Sequence, residues 1–402
     1  MAHVLIAADK FKGSLTAAEV AAAIRSGLHR VRPEVPVVVV PVADGGDGTL
    51  AAAVAAGYQQ VPVTASGPTG DPVATGYALR GDLAVVELAD VSGLVRLPGG
   101  MAPLRATSRG TGEVIAAALD AGAHRIVLGI GGSAGTDGGA GLVQALGARL
   151  LDRHGQEIGD GGAALAELAT IDLGPLRARL AGVEMTVACD VVNPLTGPLG
   201  AAAVYGPQKG ASAEDVALLD QALTHWADVV QASTGADLRD SPGAGAAGGV
   251  GFAAIALLDA GLRPGTELVF ELVEFYQQLT DAALVITGEG SLDEQTLHGK
   301  APIGVAHAAQ AAGIPVVAVC GQLALAPEQL QQVGIAAAYS LTDLEPDVRR
   351  CIAEAGFLLE LLGEQIATEQ LIPWAAPYER GQTQGGGQAS INTTAAPPSH
   401  PG

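Results

Sequence analysis

A chain of 402 residues exceeds what one growing core accommodates, so two domains are expected. Apolar residues make up 49% and aromatics only 3%, which suits helices packed closely on sheets better than an aromatic-filled sandwich or barrel. With 42 acids against 21 bases the net charge is -21, a field that repels nucleic acid and anionic membrane and makes each local positive charge informative.

The chain opens on the strand-like run "HVLIAAD", with no basic region that would make it a signal peptide. "TAAEVAAAIRSGLHR" then reads as a helix, with Thr16 and Glu19 at capping-box spacing. A buried strand, "PVVVVPVAD", and a helix from about Thr49 to Ala56 follow. From about Ala65 to Arg105 the rhythm breaks into short strand-like pieces between Gly, Pro and Asp turns. The strand "HRIVLGI" restores it, about Gly147 to Ala181 breaks it again, and "MTVACD" resumes it. "GAGAAGGVGFAAIALL" is uncharged but too short and glycine-rich for a membrane span, and reads as a loop entering a buried helix. "ALVITGE", "IPVVAVCG" and the weaker "AAAYSL" complete the strands, and the aperiodic stretch after Leu371 reads as a disordered tail.

This alternation implies an α/β fold: a doubly wound, mostly parallel sheet of flavodoxin or Rossmann kind, with a second, smaller β-rich α/β domain formed by insertions. The expected main domain takes residues 1–64, 106–146 and 182–375, the inserted domain 65–105 and 147–181, and the tail 376–402. A linear split near the chain midpoint is the rival. Cys189, Cys320 and Cys351 lack metal-ligand spacing and point to a reducing, cytoplasmic setting.

Ligands of parallel sheets sit beyond the carboxyl ends of the strands. Nearly every apolar run here is followed by glycine plus an acid, amide, hydroxyl or lysine. Asp44 and Asp47, three apart around two glycines, can converge on a magnesium ion or its waters. Asp190 with Asn193, and Glu289 with Asp293, offer similar oxygen chemistry, although any one of them alone is an ordinary cap or turn residue. "GIGGSAGTDGG" has the makings of an anion nest: glycines for close approach, Ser133 and Thr136 as donors, and a following helix with free N–H groups. It is not a P-loop. It meets the dinucleotide pattern only weakly, through Gly129, Gly131 and Ala134, which keeps an NAD(P)-dependent oxidoreductase of a small hydroxy acid as a rival. Only four residues are lysines, Lys10, Lys12, Lys209 and Lys300, and each adjoins a glycine-containing segment; lysine suits phosphate oxygens that change geometry during transfer. His298 is the one histidine beside such a segment.

The motifs "ADKFKGSL", "PVADGGDGT", "ATSRGTGE", "GIGGSAGTDGGAG", "CDVVNPLTG", "GPQKGA", "GAAGGVG" and "TGEGSLDEQTLHGKAPIGVA" occur in this order from residue 8 to about 306. Taken together they resemble the type 1 glycerate kinase family. The resemblance implies transfer of the γ-phosphate of ATP to D-glycerate, usually at the 2-hydroxyl, by a two-domain α/β enzyme. It carries over Lys10, Asp44, Asp47, Ser133, Asp190, Asn193, Glu289, Asp293 and Lys300 as site residues. On this basis the expected catalytic residues are Asp190 as base, Lys10 and Lys300. Glycerate is expected at Lys10, Asp44, Arg109 and Asn193, and the ATP phosphates at Gly131, Gly132, Ser133, Thr136, Gly288 and Lys300. Mg2+ is expected at Asp44, Asp47, Glu289 and Asp293. Thr136, Val192 and Ser291 depart from the family pattern; at Ser291 the family often has Arg, so Arg109 or Lys300 must supply that charge. The remaining alternatives are a 3-phosphoglycerate-forming kinase and a non-catalytic acid-binding protein. No nucleic acid or membrane partner is expected, and homo-oligomerisation is left open.

Overall fold

The first strand is buried on both faces, and this sets the architecture. In the computed structural model, which describes residues 2–298 and 300–371, strand β1 spans His3–Ala8. Its Val4, Ile6 and Ala8 join a core with helices Ala17–Val31 and Ala355–Gln370, while Leu5 and Ala7 join one with helices Gly265–Leu272 and Ala301–Ala311. The period of two thus puts helices on both faces of the sheet. The expected capping box is present: Glu19 N–H donates to the Thr16 hydroxyl, and Thr16 N–H to the Glu19 carboxylate.

After β2 (Val37–Val39) the chain builds β3 (Gln59–Ser66), β4 (Pro72–Arg80), β5 (Leu83–Glu87) and β6 (Arg125–Gly129). A two-stranded antiparallel ribbon follows, β7 (Arg149–Asp152) with β8 (Leu168–Asp172), and then β9 (Glu184–Ala188) and β10 (Gly261–Arg263). The last strands are β11 (Ala282–Leu292), β12 (Val316–Leu323) and β13 (Ala337–Ser340). The first sheet has the order β13-β12-β11-β1-β2 and is parallel throughout. The second has the order β10-β9-β6-β5-β4-β3, parallel from β10 to β5 and antiparallel at β4 and β3.

Strand pairing does not follow the expected boundaries at 65–105 and 147–181. "HRIVLGI" and "MTVACD", assigned from sequence to the main sheet, are β6 and β9, and β6 pairs with β5 of the second sheet. The second sheet therefore forms from one continuous block, Gln59 to Arg263, set between the two parts of the first. A five-residue buried strand reads the same in either sheet, and only pairing distinguishes them. The tail expected at 376–402 lies outside the described residues. The glycine loop before residue 250 does lead into a buried helix, Val250–Leu257. Among the described residues no helix is long and apolar enough to cross a membrane.

The sheets meet through a small core in which Leu50 and Ala53, on helix Thr49–Ala55, pack with Val85 of β5, Val127 of β6 and Leu272. This seam brings the carboxyl ends of both sets of parallel strands to one cleft.

Candidate active site

Two loops, one from each sheet, touch at the floor of the cleft. A Cβ on Gly131 would lie 2.7 Å from the Gly46 Cα, so the approach requires glycine at that point. The turn after β6 is pinned by Leu94 N–H on the Gly132 carbonyl (3.0 Å) and Ala134 N–H on the Ser92 carbonyl (3.0 Å). On either side of the contact lies a compartment, one of about 580 Å³ and one of about 230 Å³, and both are lined by Asp44, Gly46, Leu94, Gly131 and Gly132.

The larger compartment gathers Asp9, Lys10, Asp47, Glu289 and Lys300. Lys10 Nζ donates to the Asp47 carbonyl and lies 3.4 Å from the Asp47 carboxylate and 3.9 Å from that of Asp9. Burial opposes its charge, but Asp9, Asp47 and Asp44 outweigh that and raise the ammonium pKa. Burial pushes the Asp9 carboxyl up to about 7; Lys10 opposes the rise, and Asp44 and Glu289 add to it. Glu289 accepts from the Thr296 hydroxyl (2.6 Å) and Lys300 Nζ (3.2 Å); burial still raises its pKa against those two contacts. The outer wall is apolar, with Leu341, Val348 and Ile352.

The smaller compartment is lined by Asp190, Ser133, Tyr205 and Lys209. Asp190 follows β9, and its Oδ1 accepts from Gly265 N–H (2.8 Å) at the start of helix Gly265–Leu272. Burial pushes this carboxyl up to about 6, the Gly265 hydrogen bond opposes it, and Asp44 and Glu267 add to it. Lys209 is only 2% exposed, and Nζ donates to the Ser133 hydroxyl (2.8 Å) and to the Gly135 carbonyl. Burial lowers its pKa to about 7, against the pull of Asp137.

The cleft thus unites Lys10, Asp44, Asp47, Gly131, Gly132, Ser133, Asp190, Glu289 and Lys300 among the sequence-derived candidates. It does not unite five others. Arg109 is held away by Asp160 (2.8 Å) and Gln144 (3.3 Å). Asn193 spends its amide on the Leu199 carbonyl and accepts from the hydroxyl of Tyr205, so it orients a lining residue. Asp293 caps its own turn by accepting from the N–H groups of Gln295 and Thr296. Gly288 is a packing glycine, since a Cβ there would fall 2.2 Å from the Val319 carbonyl oxygen. Thr136 is fully buried, its hydroxyl without a partner among the described residues. The side chain of His298 lies outside the described residues.

The expected anion nest is only half open. Asp137 turns its carboxylate onto the N–H groups of Gly139 (3.1 Å) and Gly141 (3.3 Å), and it also receives Ser108 N–H (2.7 Å) and hydroxyl (2.8 Å). The start of helix Ala140–Ala145 is therefore filled from within the chain, which leaves Gly131 to Ser133 as the part that faces the cleft. A dinucleotide pyrophosphate would need the seat that Asp137 takes.

Sequence reasoning left out Asp9 and Lys209, which line the cleft, and Glu87, which supports one of its loops. Lys209 carried a signal, as one of four lysines beside a glycine. Glu87, at the end of β5, is 5% exposed and accepts from the N–H groups of Gly48 (3.1 Å) and Leu50 (2.9 Å), which holds the Asp44–Gly48 loop. No three His, Cys, Asp or Glu residues among those described form a ready metal cage. The carboxylates of Asp9, Asp44, Asp47 and Glu289 nonetheless offer the hard oxygens that Mg2+ takes when substrate phosphates supply the remaining ligands.

The glycerate kinase family model matches residues 4–370. A glycerate kinase of Bacillus subtilis (strain 168) is 47% identical over 368 residues, covering 90% of this chain and 96% of that protein. A glycerate 2-kinase of Escherichia coli (strain K12) is 46% identical over 342 residues, covering 84% and 90%. The crystal structure of a Salmonella typhimurium LT2 protein assigned as glycerate kinase 2 superposes with a TM-score of 0.80 at 43% identity, covering 92% of this chain and 98% of that one. With its cleft built from the ends of two parallel arrays, and with these matches along nearly its whole described length, the chain belongs to the glycerate kinase family.

Proposed function

We propose that the chain transfers the γ-phosphoryl group of ATP to D-glycerate, giving 2-phosphoglycerate and ADP. The observation that carries this reading is the pair of unequal compartments joined at Asp44, Gly46, Leu94, Gly131 and Gly132. The larger has the volume of a cofactor pocket and an apolar wall for a base; the smaller is on the scale of a short acid. A phosphoryl group would pass between them at the junction.

Lys10 and Lys300 bring compact positive charge to the nucleotide side, which moves Lys10 from the glycerate role expected of it to the phosphates. Gly131 and Gly132 let the backbone approach the transferring group. Asp190 is the base: Gly265 fixes one carboxylate oxygen, and the other has no partner among the described residues and can take the hydroxyl proton of glycerate. Asp44, Asp47 and Glu289 would hold Mg2+, which when bound offsets charge on the phosphate oxygens. The name of the Escherichia coli relative supports the 2-hydroxyl as acceptor. Three free cysteines support a cytoplasmic setting.

One incubation with Mg-ATP and D-glycerate, followed by phosphorus NMR, tests the reading. A 2-phosphoglycerate resonance with matching ADP is expected. The 3-phospho isomer would overturn the regiochemistry, and ATP left intact would overturn the activity.

A further inference from the structure

Among the described residues Lys209 is the only cation that lines the smaller compartment, which otherwise presents the carboxyl groups of Asp44 and Asp190. It is buried, yet both acceptors of its ammonium are neutral: the Ser133 hydroxyl and the Gly135 carbonyl. No carboxylate lies within salt-bridge distance of it among the described residues. An ammonium has three protons to donate, so one is left over here. Asp137 acts on the ammonium from beyond contact and does not cancel the cost of burial, so a ligand carboxylate would supply the contact that is missing. The segment that presents it is itself held in place. Lys209 closes the single 3-10 turn Pro207–Lys209 and is followed by Gly210 in the left-handed region, with Gly206 accepting its N–H.

We propose that Lys209 is the anchor for the carboxylate of the hydroxy acid, with the Ser133 hydroxyl beside it, and that this pair selects an acid over a neutral polyol in the smaller compartment. The assignment rests on the kinase reading given above. It places the two ends of the substrate on opposite groups, the carboxylate on Lys209 and the reacting hydroxyl near Asp190. Lys209 does not line the larger compartment and is not among the residues shared at the junction, so its charge serves the acceptor rather than the nucleotide. A partly uncharged lysine also suits the role: burial holds its pKa near 7, and an arriving carboxylate favours the charged form.

The test compares the wild-type protein with Lys209→Met, which keeps the aliphatic stem, and measures three quantities. These are D-glycerate binding by calorimetry, the KM for each substrate, and the preference for D-glycerate over its amide, D-glyceramide. A charged hydrogen bond lost from a buried site should weaken glycerate binding and raise its KM by about 10- to 100-fold, with the KM for ATP unchanged and the preference over the amide lost. A rise confined to the ATP KM would overturn the assignment in favour of a phosphate contact. Unchanged glycerate binding would overturn it outright. If Lys209→Met does not fold, the wild-type protein still decides: equal binding of glycerate and glyceramide would refute a carboxylate anchor. Calorimetric binding separates this inference from the kinase reading, since a protein that binds glycerate through Lys209 without transferring phosphate would sink only the latter.

Discussion

Gly131 and Gly46 meet backbone to backbone across the seam between the sheets, with room for no side chain on the first: its Cβ would come 2.7 Å from the Gly46 Cα. Gly131 lines both compartments, so this one contact sets both the spacing of the lobes and the width of the junction. Gly131→Ala has no flexible neighbour to displace and must push the two loops apart. Overpacking of this kind costs about 1–3 kcal/mol. We expect a lower urea midpoint together with a fall in kcat, because reacting groups displaced by about 1 Å can lose ~100-fold in rate. A variant that keeps wild-type kcat would show that the junction tolerates a wider gap.

Asp190 makes the sharpest catalytic prediction. Asp190→Asn keeps an oxygen for the Gly265 N–H but cannot take a proton, so kcat should fall by at least ~100-fold while ATP still binds. Burial pushes the carboxyl up to about 6, and a base works only when ionised. The wild-type kcat/KM should therefore decline as pH falls through about 6, toward a tenfold loss per pH unit. Turnover by the Asn variant near the wild-type rate would remove Asp190 from this role.

Much of this site was legible because chemistry follows each strand. Lys10, Asp44, Asp190 and Glu289 sit at or just past the ends of apolar runs, and a parallel sheet must aim those ends one way. What the sequence could not convey is which distant group claims each side chain. Arg109 looks available until Asp160, 51 positions away, takes it. The helix start after Gly139 looks open until Asp137 folds back upon it. Sheet membership failed for the same reason, since β6 and β9 carry no mark of the partner they will pair with. Lys209 went unassigned because its depth depends on tertiary packing around the turn at Pro207.

Lys10 separates the two substrate sides. It lines the larger compartment, touches the Asp47 main chain and offsets the charges of Asp9, Asp44 and Asp47. Lys10→Ala should raise the KM for ATP by about tenfold or more, the scale of one charge-assisted hydrogen bond, and change the KM for glycerate little. It should also shift the Mg2+ requirement, because Asp9 and Asp47 lose the ammonium that lies beside them. Initial-rate kinetics with each substrate varied in turn decide the matter. An effect on glycerate alone would return Lys10 to the acceptor.

Glu87 ties the Asp44–Gly48 loop to folding. Its carboxyl accepts the N–H groups of Gly48 and Leu50, and burial nevertheless pushes it from 4.5 to about 7. A folded pKa above the unfolded one means that the native state binds the proton more tightly. The contribution to stability is then fully present below about 4.5 and is lost as pH rises through about 7. The swing is on the order of 3 kcal/mol. Glu87→Gln keeps an acceptor for the loop but does not titrate, so the difference between variant and wild type isolates this one group. Urea unfolding of the metal-free proteins at about pH 5 and about pH 8 should show the Gln variant gaining on the wild type as pH rises. A difference that stays flat across that range would mean that the two backbone hydrogen bonds, rather than burial, control the carboxyl.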